Sequence, residues 1–331
     1  MKPMRASVIL VSYLALALPL ISSAASGVKL TKKDSSVLVS IQGKPFTEYH
    51  YANVPRPFMY PVIGPTGDGM TRNYPMTDVA GEEHDHIHHR GLWYAHFSVN
   101  GTDVWGEGPK SGRIVHKKFL DLKSGSKEGV IRTANAWVDT NNVVLCEDER
   151  TIRIQNTKDN IRIVDFNITI KATAGDIVLG DDKDGAMAIR VAESMRLKRR
   201  EGKKMVAGEG HIVNSEGVRD DDTWGKRAKW CDYYGPVNGK TVGVAIFDNP
   251  SNPRFPTWWH VRDYGLFAAN PFGQRHFEKL TDTHAGDMKI PAGQSVTFKY
   301  RFYFHEGDEK SAKVEETYQE YVRSTSKSAR K

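Results

Sequence analysis

The sequence IRIVDFNITI, residues 161–170, places apolar side chains at nearly every second position, with charged or polar ones between them. The sequence VTFKYRFYF, residues 296–304, follows the same pattern, and TIRI at 151–154 and VGVAIF at 242–247 read as further strands. A period of two is typical of a strand with one buried and one solvated face. We therefore predict antiparallel sheets packed on a core.

Turn residues between these segments point to the same architecture. Only residues 308–323 look helical, because Val314, Tyr318 and Tyr321 are spaced for one helix face. Few helices and many hairpins predict a mainly β sandwich or barrel with one C-terminal helix, and not an α/β fold. Three dipeptides between apolar segments are typical of hairpin turns: Asn100-Gly101, Asp184-Gly185 and Asn238-Gly239.

The composition fits one globular domain. The chain has 331 residues, of which 39% are hydrophobic and 26% charged, and this excludes a mostly disordered, collagen-like or coiled-coil protein. No linker rich in proline, serine or glycine divides the chain, so we predict a single β-sandwich domain over residues 25–323 and a basic tail at 324–331. The irregular stretch 55–81 contains aromatic residues and is predicted to be an ordered loop packed on the sheet.

The first 24 residues have the order of a secretory signal peptide. Lys2 and Arg5 precede the apolar run 8–21, and small residues follow at 22–24. The apolar run is 14 residues long, whereas a bilayer span needs about 20. We therefore predict a periplasmic or secreted protein that has no membrane partner after cleavage.

The exported chain would carry 45 basic and 40 acidic residues, largely interspersed, so we predict no nucleic-acid partner. Its two cysteines, Cys146 and Cys231, are too few for a disulfide scaffold. In an oxidising compartment they could pair with each other, and two separate buried thiols are an equal alternative.

The sequence HDHIHHR, residues 84–90, concentrates groups that bind protons or metals. If this segment is extended, His84, His86 and His88 share one face, while Asp85 and His89 share the other. Imidazole is the commonest metal ligand, and its pKa near neutrality also suits acid–base catalysis. The segment therefore predicts a functional site, with metal and proton chemistry both open.

A second dense segment is FPTWWHVRDYGL, residues 255–266, which runs on to Asn270. Adjacent tryptophans beside histidine and arginine in a β-protein suggest a sugar-stacking platform with hydrogen-bonding groups at its edge. On a strand, His260 and Arg262 lie on one face, so both could point into one pocket. Glu193, which follows the apolar run 186–192, is a weaker candidate for a general base.

Several further motifs are distributed over residues 40–305: Arg56-Pro57, Tyr60-Pro61, Thr71-Arg72-Asn73-Tyr74-Pro75, His86 to Trp93, Asn100-Gly101 through Trp105-Gly106-Glu107, Lys183-Asp184-Gly185, Ile189-Arg190-Val191, Asn214-Ser215-Glu216-Gly217, Trp224-Gly225-Lys226, Trp259-His260-Val261-Arg262 and Asn270-Pro271-Phe272-Gly273. Together they resemble the PmoA family, which is nominally called a methane oxygenase. A membrane oxygenase is disfavoured, because no spanning segment follows the signal. The resemblance implies an exported bacterial domain of unknown function, associated with carbohydrate use and similar to galactose-mutarotase-like supersandwiches.

We expect a carbohydrate-active enzyme, an isomerase, lyase or hydrolase of a small sugar or glycan fragment. In a mutarotase-like scheme, His260 or His89 is the acid and Glu193 the base. The expected substrate-binding residues are Arg90, Arg262, Trp93, Trp259 and Asn270.

Two alternatives remain open. The first is a metal-dependent enzyme that binds a divalent metal through His86, His88 or His89, and His260. The second is a non-catalytic carbohydrate-binding module that uses exposed, coplanar tryptophans. The enzymatic hypothesis requires that segments 84–90 and 255–266 meet at one cavity.

Overall fold

The computed structural model describes residues 27–158 and 160–328. The predicted signal peptide lies outside these residues, and no helix among them is both long and apolar enough to cross a bilayer. The described chain contains twenty strands: β1 (Val28–Lys32), β2 (Ser36–Ile41), β3 (Lys44–His50), β4 (Phe58–Val62), β5 (Leu92–His96), β6 (Arg113–Lys123), β7 (Glu128–Val138), β8 (Val144–Gln155), β9 (Ile161–Lys171), β10 (Ile177–Leu179), β11 (Gly185–Arg190), β12 (Lys198–Glu201), β13 (Lys204–Ala207), β14 (His211–Asn214), β15 (Trp230–Val237), β16 (Lys240–Asp248), β17 (Trp258–Val261), β18 (Leu266–Asn270), β19 (Met288–Ile290) and β20 (Ser295–Glu306).

Two eight-stranded antiparallel sheets contain most of these strands. The first sheet has the order β1-β2-β3-β4-β5-β11-β18-β17, and the second has the order β14-β15-β16-β20-β9-β8-β7-β6. Their inner faces pack together: the ring centroids of Tyr94 and Trp137, one from each sheet, lie 6.2 Å apart, and those of Phe267 and Tyr233 also lie 6.2 Å apart. The prediction of a large antiparallel β-sandwich is therefore confirmed. The pairs β10–β19 and β12–β13 form two small additional sheets.

The alternating segments lie at the centre of the second sheet. Strand β9 pairs with β20 along its whole length, from Ile161 opposite His305 to Lys171 opposite Ser295. Val164, Phe166 and Ile168 are buried there, because every second side chain faces the first sheet.

Two of the three expected turns close hairpins. Asn238-Gly239 joins β15 to β16, and Asn100-Gly101 lies between the bridged residues Val99 and Thr102. Asp184-Gly185 forms no hairpin and instead leads into β11, which pairs with β5 and β18 from other parts of the chain. The dipeptide signal is local, whereas these partners are set by long-range packing.

The C-terminal helix α2 (Val314–Ser328) packs on the outside of the second sheet. Val314, Tyr318 and Tyr321 face inward as predicted, and the Tyr318 ring lies 5.5 Å from Phe247. The helix begins six residues after the expected start, because Lys313 has a left-handed φ of 53°. It also continues into the stretch predicted as a basic tail. A short helix α1 (Gln274–Glu278) and two 3-10 turns (Glu193–Met195 and Asp220–Thr223) complete the described helical elements.

The stretch 55–81 is ordered, as predicted, and it is partly strand. Strand β4 pairs with β3 and β5. Beyond it, Ile63 bridges Gly69 within the stretch, and Thr71 bridges Val191, the residue that follows β11. The second contact holds the loop at the end of β11.

The two cysteines are separate thiols. Cys146 lies on β8 and Cys231 on β15, and both are fully buried and free. Burial raises the pKa of both thiols, so neither is activated as a nucleophile. The structure therefore agrees with the alternative of two separate buried thiols and not with a disulfide between them.

Candidate functional site

The candidate site lies on the outer face of the first sheet. Trp93 on β5 is opposite Ala188 on β11, Ala188 is opposite Ala268 on β18, and Ala268 is opposite His260 on β17. Side chains that are opposite each other on paired strands point to the same face of the sheet. Tyr94, the residue after Trp93, faces the second sheet, so the row that contains Trp93 faces outward. Ala188 and Ala268, which are both 0% exposed, therefore form a covered row of small side chains, the alanine floor, between Trp93 and His260. Three strand spacings separate these two residues, about 14 Å.

A stack of four rings rises at the Trp93 end of the alanine floor. Its members are Trp93, His89, His86 and Tyr264, and the successive ring centroids lie 5.3, 4.7 and 4.9 Å apart. Tyr264 belongs to the turn between β17 and β18, so the ring stack joins segment 84–90 to segment 255–266. The two segments therefore meet through the His86 and Tyr264 rings.

Segment 84–90 is a loop, so the faces considered for an extended segment do not apply. His86 has a left-handed φ of 42°, and the backbone N–H of His89 donates to the carbonyl of His86 over 2.9 Å. This turn places His86 and His89 on the same side as stacked rings. The alternation of faces expected for a strand does not occur here.

Asp85 anchors the ring stack. Its carboxylate accepts hydrogen bonds from Arg190 at 2.9 and 3.2 Å and from the buried Arg72, and it lies 2.8 Å from Nδ1 of His86. Burial alone would raise the pKa of Asp85, but His86 and the two arginines outweigh it and hold the pKa well below its ordinary value. The permanent carboxylate fixes the orientation of His86, whose Nε2 has no partner among the described residues.

His89 is a neutral structural residue, which corrects its predicted role as a catalytic acid. It is 1% exposed, and its Nδ1 lies 3.1 Å from a guanidinium nitrogen of Arg190, which can only donate. Burial, and then the charge of Arg190, hold the pKa of His89 well below its usual value. The neighbouring His88 is half-buried, and burial followed by the charge of Arg56 lowers its pKa to about 4.

Asp184 is the accessible carboxylate at the opposite end of the alanine floor. Its Oδ1 lies 3.5 Å from Nε2 of His260, and its Oδ2 lies 3.0 Å from Nζ of Lys183. Burial would raise the pKa of Asp184, but the interactions with His260 and Lys183 hold it well below its ordinary value. Asp184 is therefore ionised at neutral pH.

His260 lies behind Asp184 and not at the surface, so its predicted role as the acid is corrected. It is 2% exposed, and Nε1 of Trp224 donates to its Nδ1 over 3.0 Å. Its Nε2 therefore carries the proton that faces Asp184. Because both nitrogens are engaged, His260 positions Asp184.

Asn270 holds the turn that carries Asp184, and it is not a substrate-binding residue as predicted. It is fully buried, and its side-chain amide donates to the carbonyls of Asp182 and Lys183 at 3.0 and 2.8 Å. Its oxygen accepts the backbone N–H of Phe272. All of its polar atoms are therefore used within the protein.

Arg262 borders the site and is free to bind a ligand. Its guanidinium lies 5.4 Å from the ring centroid of Tyr264 and 5.9 Å from that of Trp224, and the residue is half-buried. No carboxylate or other acceptor within the described ranges pairs with this guanidinium. Its predicted role in substrate binding stays a prediction, and the geometry permits it.

The predicted tryptophan platform is absent from the surface. Trp93 and Trp259 are both 0% exposed, and Nε1 of Trp259 donates to the carbonyl of Ala228. A fully buried ring cannot stack on a sugar, so their predicted substrate contacts are wrong.

Arg90 and Glu193 are engaged elsewhere. Arg90 makes a bidentate ion pair with Glu107, through Nε at 2.9 Å and through one terminal nitrogen at 2.8 Å. Glu193 pairs with Arg196 and lines an open groove of about 510 Å³, none of whose lining residues belongs to the alanine floor or the ring stack. Neither residue reaches the site as predicted.

The expected metal ligands do not converge. The His86 and His88 rings lie 5.7 Å apart at 72°, and Asp85 uses Nδ1 of His86. Within residues 27–158 and 160–328, no group of three or more His, Cys, Asp or Glu side chains is arranged to hold a metal ion. These residues do not fit the predicted divalent-metal site.

Several site residues were not selected from the sequence: Asp85, Asp184, Arg190, Trp224 and Tyr264. All of them lie within the quoted motifs, but each motif also contains structural residues of the same type. Only the contacts between motifs separate the two groups.

Comparisons with known proteins give one family and a distant fold likeness. No curated protein matches the sequence. This chain resembles two structures of a glycoside hydrolase family 97 enzyme from Pseudoalteromonas sp. strain K8, with a TM-score of 0.32 and 9% identity in each case. One is a complex with acarbose, and the other is a complex of a variant with panose. The likeness covers 85% of this chain and 34% of the hydrolase. The profile of a family of unknown function, DUF6807, matches residues 36–319. The chain therefore belongs to the DUF6807 family.

Proposed function

We propose that this protein is an exported enzyme that acts on a sugar or glycan fragment by acid–base chemistry. The observation that carries the proposal is a pair of partly exposed groups on the outer face of the first sheet: His86, which Asp85 holds, and Asp184, which His260 holds. Half-buried Tyr264, Trp224 and Arg262 border the same area. Aromatic faces with a few polar groups are typical of sugar recognition.

His86 is the proton-transfer group in this proposal. Asp85 holds Nδ1, the stacked rings of His89 and Tyr264 fix the ring plane, and 37% of the side chain is exposed. Nε2 can therefore exchange a proton with a substrate without reorganisation of the ring. His89, which was predicted as the acid, instead packs as a stacked ring against His86.

Asp184 is the second group of the site, and its role differs from that of the general base predicted at Glu193. Its carboxylate is ionised, and such a group accepts hydrogen bonds from sugar hydroxyls or stabilises developing positive charge. His260 and Lys183 hold its two oxygens in place. The guanidinium of Arg262 donates to substrate oxygens.

The test is an NMR screen of sugars and glycan fragments against three proteins: wild type, His86→Ala and His84→Ala. His84 is the matched control, because it lies in the same loop, stacks on Tyr74 and is 51% exposed. We expect wild type to convert a sugar, His86→Ala to convert it about 10²-fold or more slowly with binding retained, and His84→Ala to match wild type.

Two results would overturn the proposal. Binding without conversion by wild type would indicate a carbohydrate-binding module, the alternative left open by the sequence. Equal conversion by His86→Ala and wild type would remove His86 from the chemistry.

A further inference from the structure

The guanidinium of Arg262 is an unmatched charge at the edge of the site. The neighbouring Asp263 lies 3.4 Å from Lys198, and Asp184 lies 3.0 Å from Lys183 and 3.5 Å from His260. Arg262 instead rests on the rings of Tyr264 and Trp224. A guanidinium with no carboxylate partner keeps its donors available for an anionic group of a ligand.

The other charged groups of the site have partners within the protein. Arg72 and Arg190 share the carboxylate of Asp85, while Lys183 and Asp184 neutralise each other. Among these groups, Arg262 is the one that an anionic ligand would pair with.

We infer that the sugar bound at this site carries a carboxylate, as a uronic acid does, and that Arg262 binds that carboxylate. The inference rests on the proposed function and narrows its substrate class. A guanidinium is planar and donates two parallel hydrogen bonds to a carboxylate, which gives both affinity and orientation.

The aromatic contacts support this role for Arg262. Because the guanidinium lies near two rings, its rotamers are restricted before the ligand arrives, and less entropy is lost on binding. Tyr264 also stacks on His86. A carboxylate on Arg262 therefore places the attached sugar ring beside the proton-transfer histidine.

The experiment compares matched sugars that differ only in the acid group: glucose with glucuronate, and galactose with galacturonate, as methyl glycosides and as short oligomers. Dissociation constants are measured by NMR titration for wild type, Arg262→Gln and Arg262→Lys. Arg199→Gln is the control for net charge, since Arg199 is 58% exposed and pairs with Glu201.

We expect wild type to prefer a uronate over its neutral counterpart by about tenfold or more, the range of a charge-assisted hydrogen bond. Arg262→Gln should abolish this preference, because the uronate loses charge-assisted hydrogen bonds whereas the neutral sugar loses weaker ones. Arg262→Lys should keep part of the preference, and Arg199→Gln all of it.

The outcomes separate the two proposals. If neutral sugars bind as tightly as uronates, or if Arg262→Gln retains the preference, the carboxylate inference is wrong and the proposed function stands. If no sugar of either kind binds, the proposed function fails too. Should Arg262→Gln not fold, the uronate-to-neutral ratio of wild type decides.

Discussion

Asp85→Asn tests whether one carboxylate supports the ring stack. Asp85 is the shared partner of Arg72 and Arg190, whose side chains are 0% exposed, and it also contacts His86. Asparagine has nearly the same shape but no charge. The substitution therefore leaves two buried guanidinium groups without a counter-ion.

The expected loss of stability follows from the burial of these partners. Removing one member of a buried ion pair costs about 3–5 kcal/mol, mostly because the other charge stays buried. Asp85 itself is 27% exposed, so water can partly replace it. We therefore expect the free energy of unfolding to fall by about 3 kcal/mol, the lower end of that range.

Urea unfolding followed by tryptophan fluorescence measures this difference. Asp78→Asn is the matched control, because Asp78 also pairs with a histidine of the same loop, His84, but both side chains are exposed. That pair should contribute less than about 1 kcal/mol. If Asp85→Asn is no more destabilising than Asp78→Asn, the carboxylate does not hold the buried guanidinium groups.

Two further substitutions test the buried core and a turn. Burial lowers the pKa of His96 to about 4, so below about pH 6.5 the unfolded state binds a proton that the folded state does not. The free energy of unfolding should therefore fall by about 3 kcal/mol between pH 7 and pH 4. His96→Gln, which can still donate to Gly180, should remove this part of the pH dependence measured by urea unfolding, and an unchanged pH dependence would contradict it. Gly239→Ala should lower the free energy of unfolding by about 1 kcal/mol, because Gly239 has a φ of 76° in the β15–β16 turn. Gly69→Ala is the control and should lower it little, because Gly69 has open space around it and no left-handed φ. Equal thermal unfolding midpoints of the two variants would refute this.

The two site segments could be found from the sequence, but most residue roles could not. Segments 84–90 and 255–266 stand out by composition, and they do meet at Tyr264. His89 and His260 carry the right chemistry but are buried, while His86 and Asp184 are accessible. Exposure depends on which neighbours cover a side chain, and this information is not contained in a short segment.

What the sequence determined by itself is the strand pattern: alternation of apolar and polar residues over 161–170 and 296–304 is a local property with a period of two, and it produced the antiparallel sandwich. What only the tertiary structure decided is the row Trp93, Ala188, Ala268 and His260, in which β5, β11 and the β17–β18 hairpin come from distant parts of the chain. The register between such strands depends on the packing of the whole sheet, because a shift by one residue would turn each of these side chains to the opposite face.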